Sequence, residues 1–148
     1  MKFNLEPVSN SLCEEIFPLL EKHYDEVAHF KQIPLSPDFK QYKKLDEMGV
    51  LRCYTARDET GGIVGYAIFM VKHNIHYSTS LQAVQDVIFI HPERRGFGIK
   101  FIKWCDEMLK ADGVEAVYHH VKREHPALGV ILSRIGYKEI DHIYGRAL

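Results

Sequence analysis

The run Pro92-Glu93-Arg94-Arg95-Gly96-Phe97-Gly98-Ile99-Lys100 sets two glycines among three cations, after a long apolar stretch and before a helical pattern. Those residue types at that spacing suit an anion. A helix start offers unpaired N–H groups and the positive end of its dipole. Glycine lets such a backbone approach a pyrophosphate closely, and Arg94, Arg95 and Lys100 add charge. The physics names an anion cradle and leaves the anion open. A Walker A loop requires Gly-Lys-Ser/Thr, which is absent. A dinucleotide fingerprint requires a third glycine or alanine where Phe101 stands, and usually sits in the first βαβ unit. A glycine-containing turn that merely starts a helix is the plain alternative.

A second candidate is Asp86, within the otherwise largely apolar run Leu81-Gln82-Ala83-Val84-Gln85-Asp86-Val87-Ile88-Phe89-Ile90. Burying an unpaired carboxylate is expensive, so this one is expected to have a partner or a task, and proton acceptance is such a task. A salt bridge to a neighbouring strand, or the cap of a bulge, is the structural alternative. Nine histidines are more than packing needs, and any of them can titrate near neutrality. His73 and His76 lack Cys, Asp or Glu partners at ligand spacing, so no metal site is expected. Tyr24, Asp25, Glu26 and His29 gather where the first helix gives out, as a pocket wall or as a solvated helix end.

The elements that must position these groups follow from periodicity and punctuation. Phe3, Leu5 and Pro7-Val8 read as a first strand. Ser9-Asn10-Ser11 caps a helix with Leu12, Ile16, Leu19 and Leu20 at helical spacing, kinked or split by Pro18. Residues His23 to Phe39 read as irregular, and Phe39 to Met48 as a second helix. Leu51 to Ala56 and Ile63 to Val71 form a hairpin around Asp58-Glu59-Thr60-Gly61-Gly62. Ser78-Thr79-Ser80 turns the chain into the strand Leu81 to Ile90. An amphipathic helix with Ile99, Ile102, Cys105 and Leu109 stops at Gly113. Val114 to Val121 is a strand, Pro126 to Ile135 a short helix closed by Gly136, and Tyr137 to Ala147 one or two final strands. One α+β domain over 1–148 is expected, with a mostly antiparallel sheet.

Composition narrows the function class. A net charge of −1 gives no field that would draw nucleic acid or a membrane surface. No apolar run reaches the roughly 20 residues that span a bilayer. Three scattered cysteines suit free thiols in a reducing cytoplasm, the expected location.

The loop resembles the signature Arg-Gly-x-Gly-x-Gly/Ala of the GNAT (GCN5-related N-acetyltransferase) superfamily, after a strand ending in apolar-x-Pro. The order of elements is similar over nearly the whole chain, and Gly61 to Tyr66 looks like the usual second hairpin. His73-Asn74-Ile75-His76-Tyr77 and Asp86 to Pro92 further resemble small GNAT proteins carried by bacteriophages. The resemblance implies a mixed sheet of six to seven strands with a splayed central strand pair. It implies transfer of an acetyl group from acetyl-CoA to a primary amine, on a small molecule or on a protein lysine or N-terminus, directly and without a covalent enzyme intermediate.

Carried over by residue, Val87, Ile88, Phe89 and Ile90 line the pantetheine arm, and the amide of about Phe89 is the oxyanion donor. Arg94, Arg95, Gly96, Phe97, Gly98, Ile99 and Lys100 hold the pyrophosphate, and Asp86 is the favoured base. Tyr24, Glu26, His29, His76 and Tyr77 fall to the acceptor side, and a homodimer is compatible with the family. Lys100 stands where the loop's last glycine or alanine is usual. His125 and Leu132 replace the family's asparagine and tyrosine, so the usual tyrosine acid is missing and Tyr137 or Tyr144 is left to substitute. A non-catalytic acyl-CoA-binding or structural module is the alternative from another class.

Overall fold

The Ser9 hydroxyl accepts the Leu12 N–H at 3.1 Å and starts α1, Asn10–Val27. The computed structural model describes residues 1–148, so the whole helix can be followed. Pro18 lies inside it without splitting it. Proline lacks the N–H that would reach the Glu14 carbonyl, but Leu12, Cys13, Ile16 and Leu19 are buried along the helix and hold both halves in line. Packing therefore overrides the expected break and extends the helix through His23–Val27. The second helix, α2, covers Phe39–Glu47. Asp38 caps it, its carboxylate accepting the Gln41 N–H at 2.9 Å.

The sheet has five strands, β1 Lys2–Leu5, β2 Leu51–Arg57, β3 Ile63–His73, β4 Leu81–Ile90 and β5 Ala116–Tyr118, in the order β1-β2-β3-β4-β5. The first four are antiparallel and β5 joins β4 in parallel, as its crossover through α3, Gly98–Ala111, requires. Gly113, at φ +89°, ends α3 in a left-handed turn, and Gly136, at φ +105°, does the same after α4, Ala127–Arg134.

Five strands replace the six to seven expected. Residues 137–148 form none, and Ile140, Ile143 and Tyr144 are 72%, 74% and 93% exposed. Alternating side chains make a strand only when a neighbour buries one set of them, and here none does. The strand expected over Val114 to Val121 shrinks to Ala116–Tyr118 for a related reason, since β4 pairs with it only that far.

Side chains fill two layers, one on each face of the sheet. On one face Leu12, Ile16 and Leu19 of α1 pack with Leu51, Cys53, Tyr66, Ile68, Val87 and Phe89, joined by Tyr42 and Leu45 of α2. On the other, Phe101, Cys105 and Leu109 of α3 pack with Tyr54, Ala67, Phe69 and Ala83. Phe101 and Leu109 are fully buried. Each such side chain contributes about 1.5–3 kcal/mol, which fixes the start of α3 against the end of β4.

Candidate active site

The strands β4 and β5 share only three register pairs, Gln82↔Ala116, Ala83↔Val117 and Val84↔Tyr118. Beyond Val84 they part, and β4 continues alone on that side from Gln85 to Ile90. At the fork β4 also bulges. Ile68 lies opposite Val87 and Phe69 opposite Gln85, so Asp86 has no partner on β3. The extra residue inverts the sidedness of the strand. Ala83 packs toward α3, whereas Val87 and Phe89 pack toward α1.

Asp86 is exposed, not buried as its apolar surroundings led one to expect, because the bulge turns it out of the ladder. It points to the face covered by α1 and α2, where the Tyr42 hydroxyl donates to its Oδ2 at 2.5 Å. Burial, and then this bond, push the Tyr42 hydroxyl well above its ordinary pKa, so it stays a donor.

Ladder geometry decides which backbone groups face the gap. His91 N–H donates to the Val64 carbonyl at 2.8 Å, which makes that couple a hydrogen-bonded pair. Alternation along an antiparallel ladder then turns Phe89 and Val87 toward β3, and Ile88 and Ile90 away from it. Of the four residues expected to line the arm, Ile88 turns its backbone to the gap and Ile90 its N–H, the Ile90 carbonyl being met by Arg95 Nε at 3.4 Å, while Val87 and Phe89 bury side chains against α1. The Phe89 amide, expected as the oxyanion donor, is turned toward β3, and the neighbouring amide that faces the gap is that of Ile88.

The glycine loop is a 3₁₀ helix, Pro92–Phe97, leading straight into α3. The two glycines differ. A Cβ on Gly98 would meet Ile90 Cδ1 at 3.2 Å, so Gly98 serves helix-on-sheet contact; a Cβ on Gly96 would meet nothing within 4 Å. The Gly98 N–H already donates to the Arg95 carbonyl, and the Arg94 N–H to His91. Phe97 packs inward on Phe3 and Phe101, while Ile99 is 38% exposed. Arg94 and Lys100 are exposed and form no salt bridge, whereas Arg95 Nη2 reaches both Glu26 oxygens at 2.7 and 2.6 Å.

The residues expected on the acceptor side scatter. Glu26 is held by Arg95 at the loop. The Tyr24 hydroxyl donates to the Lys31 and Ile33 carbonyls, and His29 lies 3.2 Å from Glu124, so both tie down the segment after α1. His76 and Tyr77 sit in the β3–β4 turn, their amides donating to Asn74 Oδ1. From Leu81 to Asp86 is five residues of strand, roughly 17 Å, so that turn does not adjoin the bulge.

Tyr137 donates its hydroxyl to Asp106 Oδ1 at 2.6 Å on the α3 side, and burial raises its pKa beyond the ordinary range. Its ring stands edge-on to His119, centroids 5.0 Å apart. His119 Nδ1 meets Gln85 Oε1 at 2.7 Å across the fork, and burial pushes its pKa down to about 4. Its Nε2 is buried without a partner. Tyr42, Gln85, His119 and Asp106 were not singled out from sequence. Gln85 alone left a signal, as the polar neighbour of Asp86 in an apolar run.

Similar architecture occurs in solved structures. A ribosomal-protein-alanine N-acetyltransferase from Brucella melitensis biovar Abortus 2308 aligns over 100% of both chains, with a TM-score of 0.72 at 18% identity. The chain shares its fold. An aminoglycoside acetyltransferase from an uncultured soil metagenomic sample aligns over 99% of this chain and 96% of its own, at TM-score 0.74 and 19% identity. An acetyltransferase of Trypanosoma brucei gives 0.72 and 16%, over 99% and 100%. The single-domain α+β architecture with its mixed sheet is therefore the fold of these acetyltransferases. No protein-family model and no curated protein matches the sequence.

Proposed function

We propose that this protein is an N-acetyltransferase that moves an acetyl group from acetyl-CoA to a primary amine by direct transfer. The observation that carries the reading is the conjunction at the fork of β4 and β5. The backbone of Ile88 and the N–H of Ile90 turned to the gap, the cations Arg94 and Lys100 around the start of α3, and the outward carboxylate of Asp86 lie along one strand and its end. The fold shared with acetyltransferases of Brucella and of an uncultured soil metagenomic sample supports it.

In this reading the arm of acetyl-CoA lies in the gap against Ile88 and Ile90, and its phosphates meet Arg94, Lys100 and the loop. The acceptor enters over the α1–α2 face. A primary amine has a pKa near 10.4 and is mostly protonated at neutral pH, so its nitrogen must first lose a proton. Asp86 takes that proton. The nitrogen then attacks the thioester carbon, the Ile88 N–H faces the developing oxyanion, and the C–S bond breaks. A thiol pKa near 8.5 lets the sulfur leave as thiolate, and the second proton, shed by the nitrogen as the amide forms, passes through water to the sulfur. Three free, buried cysteines fit a reducing cytoplasm as the setting.

A second reading, a module that binds acyl-CoA without turnover, draws on one observation. Leu132 is buried where the family's tyrosine acid is usual, and Tyr137 is committed to Asp106. Thiol release from acetyl-CoA, measured across a panel of amines, separates the two. Amine-dependent release that falls by ~10²–10⁴ in Asp86→Asn supports the enzyme and its base. Binding of coenzyme A with no release for any amine supports the module.

A further inference from the structure

We infer that Tyr42 is the positioning residue for Asp86, fixing which carboxylate oxygen receives the proton of the acceptor amine. The inference rests on the reading of Asp86 as base and deepens it.

A bulge fixes where a residue's Cα lies, but the last torsion of an aspartate is broad and roughly two-fold. Position on the strand therefore leaves the carboxylate plane free to turn. The Tyr42 hydroxyl removes that freedom by donating to Oδ2, and Oδ1 is left without a protein partner on an exposed residue. One oxygen is occupied and the other presented.

Tyr42 can do this only if α2 is itself held, and three contacts hold it. Asp38 caps its start through the Gln41 N–H. Asp46 Oδ2 accepts the Val8 N–H at 2.8 Å, tying α2 to the chain between β1 and α1. Lys43 Nζ donates to Asn10 Oδ1 at 2.7 Å, tying it to the start of α1. The ring of Tyr42 packs against the buried layer that includes Leu12, Ile16, Cys53 and Ile68. No part of this apparatus touches the loop Pro92–Phe97 or the α3 face, so it acts on the proton acceptor and not on the coenzyme cradle.

The test is a double-mutant cycle read in kcat and in both KM values, on wild type, Tyr42→Phe, Asp86→Asn and the double variant. Misplacing a reacting group by about 1 Å can lower the rate ~10²-fold, so Tyr42→Phe is expected to lower kcat by roughly 10- to 100-fold. KM for acetyl-CoA should not move. In the Asp86→Asn background Tyr42→Phe should have no further effect, because there is no base left to position. Equal losses in both backgrounds, or an unchanged kcat in Tyr42→Phe, overturn the inference. A lower melting temperature with normal turnover per folded molecule does the same, since that marks a purely structural contact. If Asp86→Asn itself keeps its kcat, the base assignment falls first, and that result is distinct from the others. Should Tyr42→Phe fail to fold, a difluorotyrosine at position 42 keeps the ring and strengthens the donor, and an unmoved kcat there also overturns the proposal.

Discussion

Asp86 stands out in the sequence for a physical reason, burial, that the structure does not bear out. A carboxylate in an apolar run does mark an unusual position, but it is turned outward by a bulge and is not desolvated within the sheet. Glu26, expected on the acceptor side, pairs with Arg95 at the loop. The pair is half-exposed on the arginine side, and exposed ion pairs contribute about 0–1 kcal/mol. Glu26→Gln would free Arg95 for a phosphate while removing little stability. KM for acetyl-CoA should then fall, by no more than about fivefold, and KM for the amine should stay the same. Steady-state kinetics with each substrate varied in turn checks this. A rise in the amine KM alone would return Glu26 to the acceptor pocket.

At the scale of elements, what was legible in the sequence was what is local. Strand alternation, the Ser9 cap, the hairpin at Asp58–Gly62 and the stop at Gly113 depend on neighbours a few residues apart, and all of them are present. The bulge at Asp86 depends on the register of β3, and the Tyr42–Asp86 bond spans 44 positions, so neither has a local mark. The last strands were misread because alternation at 137–148 finds no surface to cover it. The loop was legible as an element but not glycine by glycine. Gly98 is closed off by Ile90, and Gly96 is open. Gly98→Val should therefore lower thermal stability as well as coenzyme binding, because the start of α3 must shift or Ile90 must yield. Gly96→Val should leave the unfolding free energy within about 0.5 kcal/mol of wild type and weaken acetyl-CoA binding alone. Calorimetric titration beside a melting curve distinguishes them. Full coenzyme affinity in Gly96→Val would remove that glycine from the cradle.

For the whole molecule, the fork between β4 and β5 is both the site and a weak point, since three register pairs and one side-chain bridge hold the strands there. The burial of His119 within that bridge makes stability depend on pH. The amide oxygen of Gln85 accepts, so Nδ1 of His119 carries a hydrogen, while Nε2 is buried without a partner. Burial lowers the folded pKa of His119 to about 4, against an unfolded value near 6.5. Between those values the unfolded chain binds more protons than the folded one, so stability rises with pH across that window. The contribution is complete above about pH 6.5 and is lost as pH falls toward 4; from a shift of this size it amounts to roughly 3 kcal/mol at most. His23, also lowered by burial, adds a slope of the same sign. Urea unfolding of the wild type at steps between pH 7 and pH 4 should show a falling free energy. His119→Gln should be less stable at pH 7 but distinctly flatter over the same range, keeping only the slope that belongs to His23 and the carboxylates. Parallel slopes for the two proteins would mean that His119 titrates in the folded state as it does in the unfolded chain, and that burial does not hold the ring neutral.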